Sequence, residues 1–401
     1  MLKFWAIVIA TFISLFLSQG FSQQSLSGTL KKKRPTVTPV RYAKGPTAIL
    51  TSTMKDWSFP AGADSNSPVV WHEDKILVFN SAAGHPSRSE GESLFELGEP
   101  ERVVYLQGSN GGRWMESIIK DSRGIFYGFY HNEPIISDPS HLEKVGVCGI
   151  RSDQTIPRIG MAKSIDGGKT WEDLGIVLEA NTSLLQMDCL TSKNHYFIGG
   201  HGDFSVILNE ESDEVFLYFS NYTGLAPRWG EGFDLNQTYD QGVSVAWMPW
   251  SHRDKPVGKF YKYYSNTWDV EKGLGGFASA INPEFANKVS WHEEITDAFW
   301  GPSVHYNTYL KMYVMLLNHA VLSGPTWRQE GLYISFSPGI ENPAIWSKPV
   351  KIFDGGSWYP QVVGMEQGLG TDKLAGQKAY LFMSGKYLGD LTFFREGEIL
   401  P

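Results

Sequence analysis

Three carboxylates, Glu116, Asp203 and Asp64, stand at or just before the openings of short β-rich runs, accompanied by histidines, amides and tryptophans in comparable places. Cleavage of a glycosidic bond needs such a set: one acid to protonate the leaving oxygen, and one carboxylate to activate water or attack. Glu116 and Asp203 form the candidate pair. Asp64 would act as base, or as a further negative charge that raises a neighbour's pKa and keeps it protonated. The candidate substrate contacts are Arg113, His131, His201, Asn221, Trp300, Asn318 and Trp358. Arg113 would clamp a carboxylate, the tryptophans would offer flat faces to a sugar, and the histidines and amides would bond hydroxyls. Each also has a structural reading, as turn carboxylate, surface ion pair or core aromatic.

No His-x-x-x-His motif or cysteine cluster occurs, so no metal is expected in the chemistry and no cofactor is required. A structural calcium ion near a channel lined by oxygen ligands is compatible with the composition.

The elements that must position these residues recur. Five strands open alike, at Ser67-Pro68-Val69-Val70, Met115-Glu116-Ser117-Ile118, Asp203-Phe204-Ser205-Val206, Gly301-Pro302-Ser303-Val304 and Tyr359-Pro360-Gln361-Val362. Each is followed by a second strand that ends in small polar residues. A repeated all-β unit of this kind predicts an all-β fold, a five-bladed β-propeller. The 42 Gly, 14 Trp, 18 Tyr and 23 Phe supply the turns and the flat cross-strand surfaces such blades require.

If the first strand of each blade lines the channel and the second returns, two sets of residues meet at one mouth. Before the inner strands come Asp64 and Asn66, Arg113 and Glu116, His201 and Asp203, Asp297 and Trp300, and Trp358 and Tyr359. After the return strands come Asn80, His85 and Arg88, then His131 to Glu133, Asn221 and Tyr222, Asn318 and His319, and Lys386 and Tyr387. Between two outer strands of blade two lies Ser164-Ile165-Asp166-Gly167-Gly168-Lys169-Thr170-Trp171. This resembles the Asp box, S-x-D-x-G-x-T-W, of sialidases and other propellers, a hairpin turn whose role is structural and whose place is away from the ligand.

The N-terminus has one lysine, an apolar run from Phe4 to Leu17, and small polar residues, which predicts a signal peptide over residues 1–23. Residues 24–47 read as a flexible lead-in, and 48–401 as the propeller domain. The expected location is secreted or periplasmic, with no membrane contact after cleavage. With a net charge of −8 and a single dense basic run, Lys31 to Arg34, in the lead-in, no nucleic-acid partner is expected. The expected partner is a carbohydrate substrate and the expected state a monomer. Cys148 and Cys189 either pair or are buried singly.

Gly202 to Leu208 followed by Phe216 to Tyr222 resembles the D-P-S-V hairpin and Y-L-x-Y-S strand of five-bladed glycoside hydrolases of families 43, 62 and 32. Trp300 to Val304 followed by Tyr313 to Asn318 is similar to their E-G-P-x-(I/V) hairpin. The resemblance covers the inner hairpins. It implies an Asp base, an Asp modulator and a Glu acid opening successive inner strands, and so points to Asp64, Glu116 and Asp203 without ordering their roles. Ser67 and Trp300 stand where those families carry acids, which suggests a distant group. The expected function is a secreted glycoside hydrolase acting on poly- or oligosaccharide. The alternatives are a sialidase-like exo-glycosidase and a non-catalytic carbohydrate-binding propeller.

Overall fold

The computed structural model describes residues 41–51, 56–108, 111–134, 155–181, 199–222, 241–290, 295–321 and 328–401. The expected signal peptide, both cysteines and the basic run lie outside the described residues. Five antiparallel sheets form a five-bladed β-propeller. Blade one has strands Val69–His72, Lys75–Ala82, His85–Gly91 and Glu101–Arg102. Blade two has Gly112–Lys120, Phe126–Glu133, Arg158–Ser164 and Thr170–Leu178, with Val104–Tyr105 added in parallel at its outer edge. Blade three runs His201–Asn209, Glu214–Asn221, Gly242–Pro249, Tyr261–Tyr264 and Thr267–Lys272.

Blade four is built on Ile295–Asn307, Met312–Val321, Arg328–Ser337 and Val350–Asp354. Asp297 and Trp300 therefore lie inside its long inner strand. Blade five has Pro360–Gly364, Lys378–Met383 and Lys386–Phe394, and its outer strand is Thr47–Thr51 from the other end of the chain, with Ala48 opposite Phe393. That pairing closes the ring, because an open propeller would leave this sheet edge unpaired. Arg41–Tyr42 also pairs with Ile399–Leu400, so regular pairing begins within the segment expected as lead-in.

The core lies between blades. Phe204, Val206, Leu217 and Phe219 of blade three pack on Tyr127, Phe129, Ile159 and Met161 of blade two, and comparable clusters fill the other junctions. Alternation decides this: every second residue of each strand faces one neighbouring blade. Around the channel, inner strands are tied by side-chain hydroxyls. Ser117 Oγ accepts from Val206 N at 2.9 Å, and Ser205 Oγ accepts from Val304 N at 3.0 Å. The repeating serine of the opening motif is thus a blade-to-blade lock. Among the described residues no helix is long and apolar enough to cross a membrane.

Candidate active site

Glu116 and Asp203 are each the extra residue of a β-bulge. Met115 pairs with Tyr130 and Ser117 with Phe129, leaving Glu116 between them; Gly202 pairs with Ser220 and Phe204 with Phe219, leaving Asp203. A bulge re-aims one side chain without disturbing the rest of the strand. Asp203 has φ of 40°, and the same motif position in the next two blades is Gly301 at 61° and Tyr359 at 56°. Left-handed backbone at non-glycine residues costs on the order of 1–3 kcal/mol and is held by its surroundings. Here Ser220 Oγ donates to Asp203 O at 3.1 Å, and Asp203 N donates to His131 Nδ1 at 3.3 Å.

His131 lies two residues before the end of the return strand of blade two and stands between the two bulges. Its Nδ1 lies 3.5 Å from Glu116 Oε1 and 4.0 Å from Asp203 Oδ1, and its Nε2 lies 3.4 Å from Glu133 Oε1. Phe204 N donates to Glu116 Oε2 at 2.7 Å, and the Tyr222 hydroxyl donates to Asp203 Oδ2. Gly202 makes room for this arrangement: a Cβ there would come within 2.5 Å of the His131 ring. The Gly199-Gly200-His201-Gly202-Asp203 run therefore has a packing reason as well as a chemical one.

Burial raises the Glu116 carboxyl, opposed by His131. Burial and then the charge of Glu116 push Asp203 up to about 7. Burial would lower His131, but Glu116 and Glu133 hold it well above the usual histidine value. Tyr222 is raised far above an ordinary phenol by burial and by Asp203, so it remains a donor. A cluster of this kind shares protons among its members. Asp64 lies on the exposed rim of blade one, where partial burial and the charge of Glu133 raise its carboxyl while Trp114 and His131 oppose them. Tyr359 is buried and feels Asp203, Asp64, Glu116 and Glu133 together.

The fold thus brings Glu116, Asp203 and His131 into one cluster, with Asp64 beside it. The other candidates are placed differently. Arg113 turns into blade two, 3.5 Å from Asp173 and 4.2 Å over the Tyr105 ring. His201 is buried with Nδ1 on Gly200 O at 2.9 Å and its ring 4.6 Å from Phe219; burial and Lys262 hold it well below its usual value, so it is neutral. Asn221 faces His201 across the strand pair and reaches Ala278 O at 3.5 Å. Asn318 locks blade four to blade five, donating to Ser357 O at 3.1 Å and accepting from Tyr359 N at 3.0 Å. Trp300 is buried edge-on to Trp358 and Tyr359 at 5.7 and 5.8 Å, and Trp358 is the more open of the two tryptophans. Arg88 is far from the mouth, donating to Gly167 O at 2.8 Å.

Glu133 and Tyr222 were in the converging sets but carried no signal beyond position. Lys373 carried none. It belongs to a loop of blade five, donates to Ser205 Oγ at 2.7 Å and pairs with Asp372 at 3.2 Å, while Asp372 accepts from Val69 N. Lys373 lies close enough to Glu116 to favour its charged form. Although no metal motif exists in the sequence, Glu116, His131 and Asp203 offer three potential ligand atoms within 4.8 Å of one another.

No protein-family model matches the chain, and no curated protein does. Among solved structures it is similar to an arabinanase of Bacillus subtilis, at 12% identity over 84% of this chain and 97% of that one, with a TM-score of 0.41. It is similar to an endo-arabinase from Bacteroides thetaiotaomicron at 9% identity over 86% and 99%, with a TM-score of 0.46. A third likeness is the GH93 alpha-L-arabinofuranosidase of Fusarium graminearum, in a complex with arabinobiose, at 12% identity over 88% and 86%, with a TM-score of 0.43. The chain is a five-bladed propeller that stands far in sequence from all three, and the chemistry of its mouth rests on its own residues.

Proposed function

We propose that the protein is a glycoside hydrolase acting on poly- or oligosaccharide, with Asp203 as general acid, Glu116 as the buried charge behind it, and Asp64 as the second working carboxylate. One observation carries this reading: two carboxylates from adjacent blades share a cluster with a histidine, and one of them is pushed up to about 7. A carboxyl with that value holds its proton near neutrality and can deliver it to a leaving oxygen. Glu116 is 1% exposed and is kept off a sugar by its burial. The partner of Asp203 must come from elsewhere on the mouth, and Asp64 on the exposed rim meets that need. Trp358, half-buried, supplies aromatic surface next to Tyr359. The leader-like N-terminus supports export, and the serine-locked inner strands support a rigid mouth.

The test is hydrolysis of a polysaccharide panel by the wild-type protein and by Asp203→Asn, Glu116→Gln and Asp64→Asn. Turnover that falls by about 10²–10⁴ in Asp203→Asn is expected for loss of a general acid. Turnover unchanged in both Asp203→Asn and Glu116→Gln would overturn the assignment. Sugar binding by a wild-type protein that hydrolyses nothing would favour a non-catalytic carbohydrate-binding propeller.

A further inference from the structure

We propose that Glu116, His131 and Asp203 bind one divalent transition-metal ion of the zinc class, and that a bound ion silences the acid–base chemistry proposed above. The binding half stands on geometry alone; the silencing half rests on the hydrolase reading.

The three donors come from three strands, and their ligand atoms lie within 4.8 Å of one another. Zinc bonds nitrogen and carboxylate oxygen at about 2.0–2.2 Å, so donors around a single ion stand roughly 3–4.5 Å apart. The Nδ1 separations of 3.5 Å from Glu116 Oε1 and 4.0 Å from Asp203 Oδ1 meet that requirement.

Each carboxylate is also held from outside with one oxygen left for the centre. Glu116 Oε2 is tied to Phe204 N, while Oε1 is buried and accepts no hydrogen bond. Asp203 Oδ2 is tied to the Tyr222 hydroxyl, leaving Oδ1. His131 Nε2 faces Glu133 at 3.4 Å, which orients the ring with Nδ1 toward both carboxylates. A carboxylate behind the far nitrogen of a ligating histidine is the usual outer support of a metal site. Nδ1 accepts from Asp203 N at 3.3 Å, a long bond that an ion would displace, while the two carboxylate oxygens repel one another unless a proton or a cation sits between them.

The imidazole nitrogen selects the class. Calcium and magnesium prefer all-oxygen shells, whereas one imidazole with two carboxylates suits zinc and its neighbours. An ion there takes the lone pair of Asp203 that would otherwise carry the proton to a leaving group, so occupied and working states exclude each other.

The experiment is calorimetric titration of the metal-stripped full chain with zinc chloride, and in parallel with calcium chloride. One equivalent of zinc should bind the wild type, with calcium at least tenfold weaker. Binding should be lost in Glu116→Gln and Asp203→Asn, near-isosteric changes whose folding is checked by near-UV circular dichroism, and weakened about 10–100-fold in Glu133→Gln. His319→Ala is the control, because His319 lies 3.0 Å from both Asp297 and Glu330 and is the competing surface site. No saturable zinc binding by the wild type, binding that survives Glu116→Gln and Asp203→Asn, loss only in His319→Ala, or calcium binding as tight as zinc would each overturn the proposal. Zinc binding by a protein that hydrolyses nothing even when metal-stripped leaves the site standing and removes the hydrolase reading. Hydrolysis that zinc leaves untouched, in a protein that binds it, removes the silencing.

Discussion

The backbone N–H of Phe204 donates to Glu116 Oε2 at 2.7 Å, joining the bulge of blade three to the bulge of blade two. The bond spans 88 positions of sequence and seats the Glu116 carboxylate directly beneath the residue that follows Asp203. Two carboxylates that would otherwise repel are therefore held together by backbone geometry, and the cost appears as raised proton affinity at both.

Gly202→Ala should disable the site without touching a charged residue. Its Cβ would meet His131 Cε1 at 2.5 Å and Nδ1 at 2.8 Å, so the ring must leave its place between the carboxylates. Turnover should fall by about 10² or more, as misplaced catalytic groups cause, and the ring resonances of His131 should shift in NMR spectra. An unshifted ring would show that the backbone yields instead.

Arg113→Met should act on stability rather than on substrate affinity. Removing the cation strands Asp173 in a buried place, at a cost toward the lower end of about 3–5 kcal/mol, because Tyr130 and Gly175 still donate to that carboxylate at 2.8 Å. Urea unfolding measures the loss. A raised KM at unchanged stability would return Arg113 to the mouth.

Asp166→Ala should weaken the fold in a pH-dependent way. Asp166 accepts from Lys169 N at 3.1 Å, Thr170 N at 3.0 Å and Thr170 Oγ1 at 2.6 Å, and losing these costs about 1–3 kcal/mol. Burial works against the charge, but the Thr170, Ser164 and Lys169 donors hold the carboxyl below 3.8. The stabilisation is therefore present above that value and is lost as pH falls through the lower folded one. Unfolding curves of wild type and variant should converge in strong acid. Ser164 pairs with Phe126, at the opposite end of the blade from Arg158 and Asn132, so turnover should be unchanged.

Lys262 gives a slope of the same sign from the opposite cause, a charge that burial penalises rather than one that donors favour. Its ammonium is buried between Glu179 O at 2.6 Å and Gly276 O at 2.7 Å, and burial pushes it down to about 7 from 10.5. Between those values the unfolded chain binds a proton that the folded one lacks, so stability should rise with pH, by about 1.4 kcal/mol per unit. Lys262→Met should remove that slope whatever its effect on absolute stability. An identical slope in wild type and variant would show that Lys262 stays charged.

The five strand openings and their hairpins were legible in the sequence because alternation and turn residues are local. So were Glu116, Asp203, His131 and Asp64 as residues of one mouth, since in-and-out strands bring motif positions to one face. Side-chain direction was not legible. Arg113 and Glu116, three residues apart, face opposite ways by plain alternation, but only the bulge between Met115 and Ser117 aims Glu116 at the cluster. His201 and Asp203, two residues apart, would share a face in a regular strand and are divided by the bulge at Asp203. Nor did any local pattern announce that Thr47–Thr51 closes blade five, or that Lys373 reaches Ser205 across the channel. Alternation and turn chemistry thus specify the repeating unit and bring Glu116, His131 and Asp203 to one end of it. Which side chains meet there is set by packing in three dimensions, because a one-residue change of register turns a side chain to the other face.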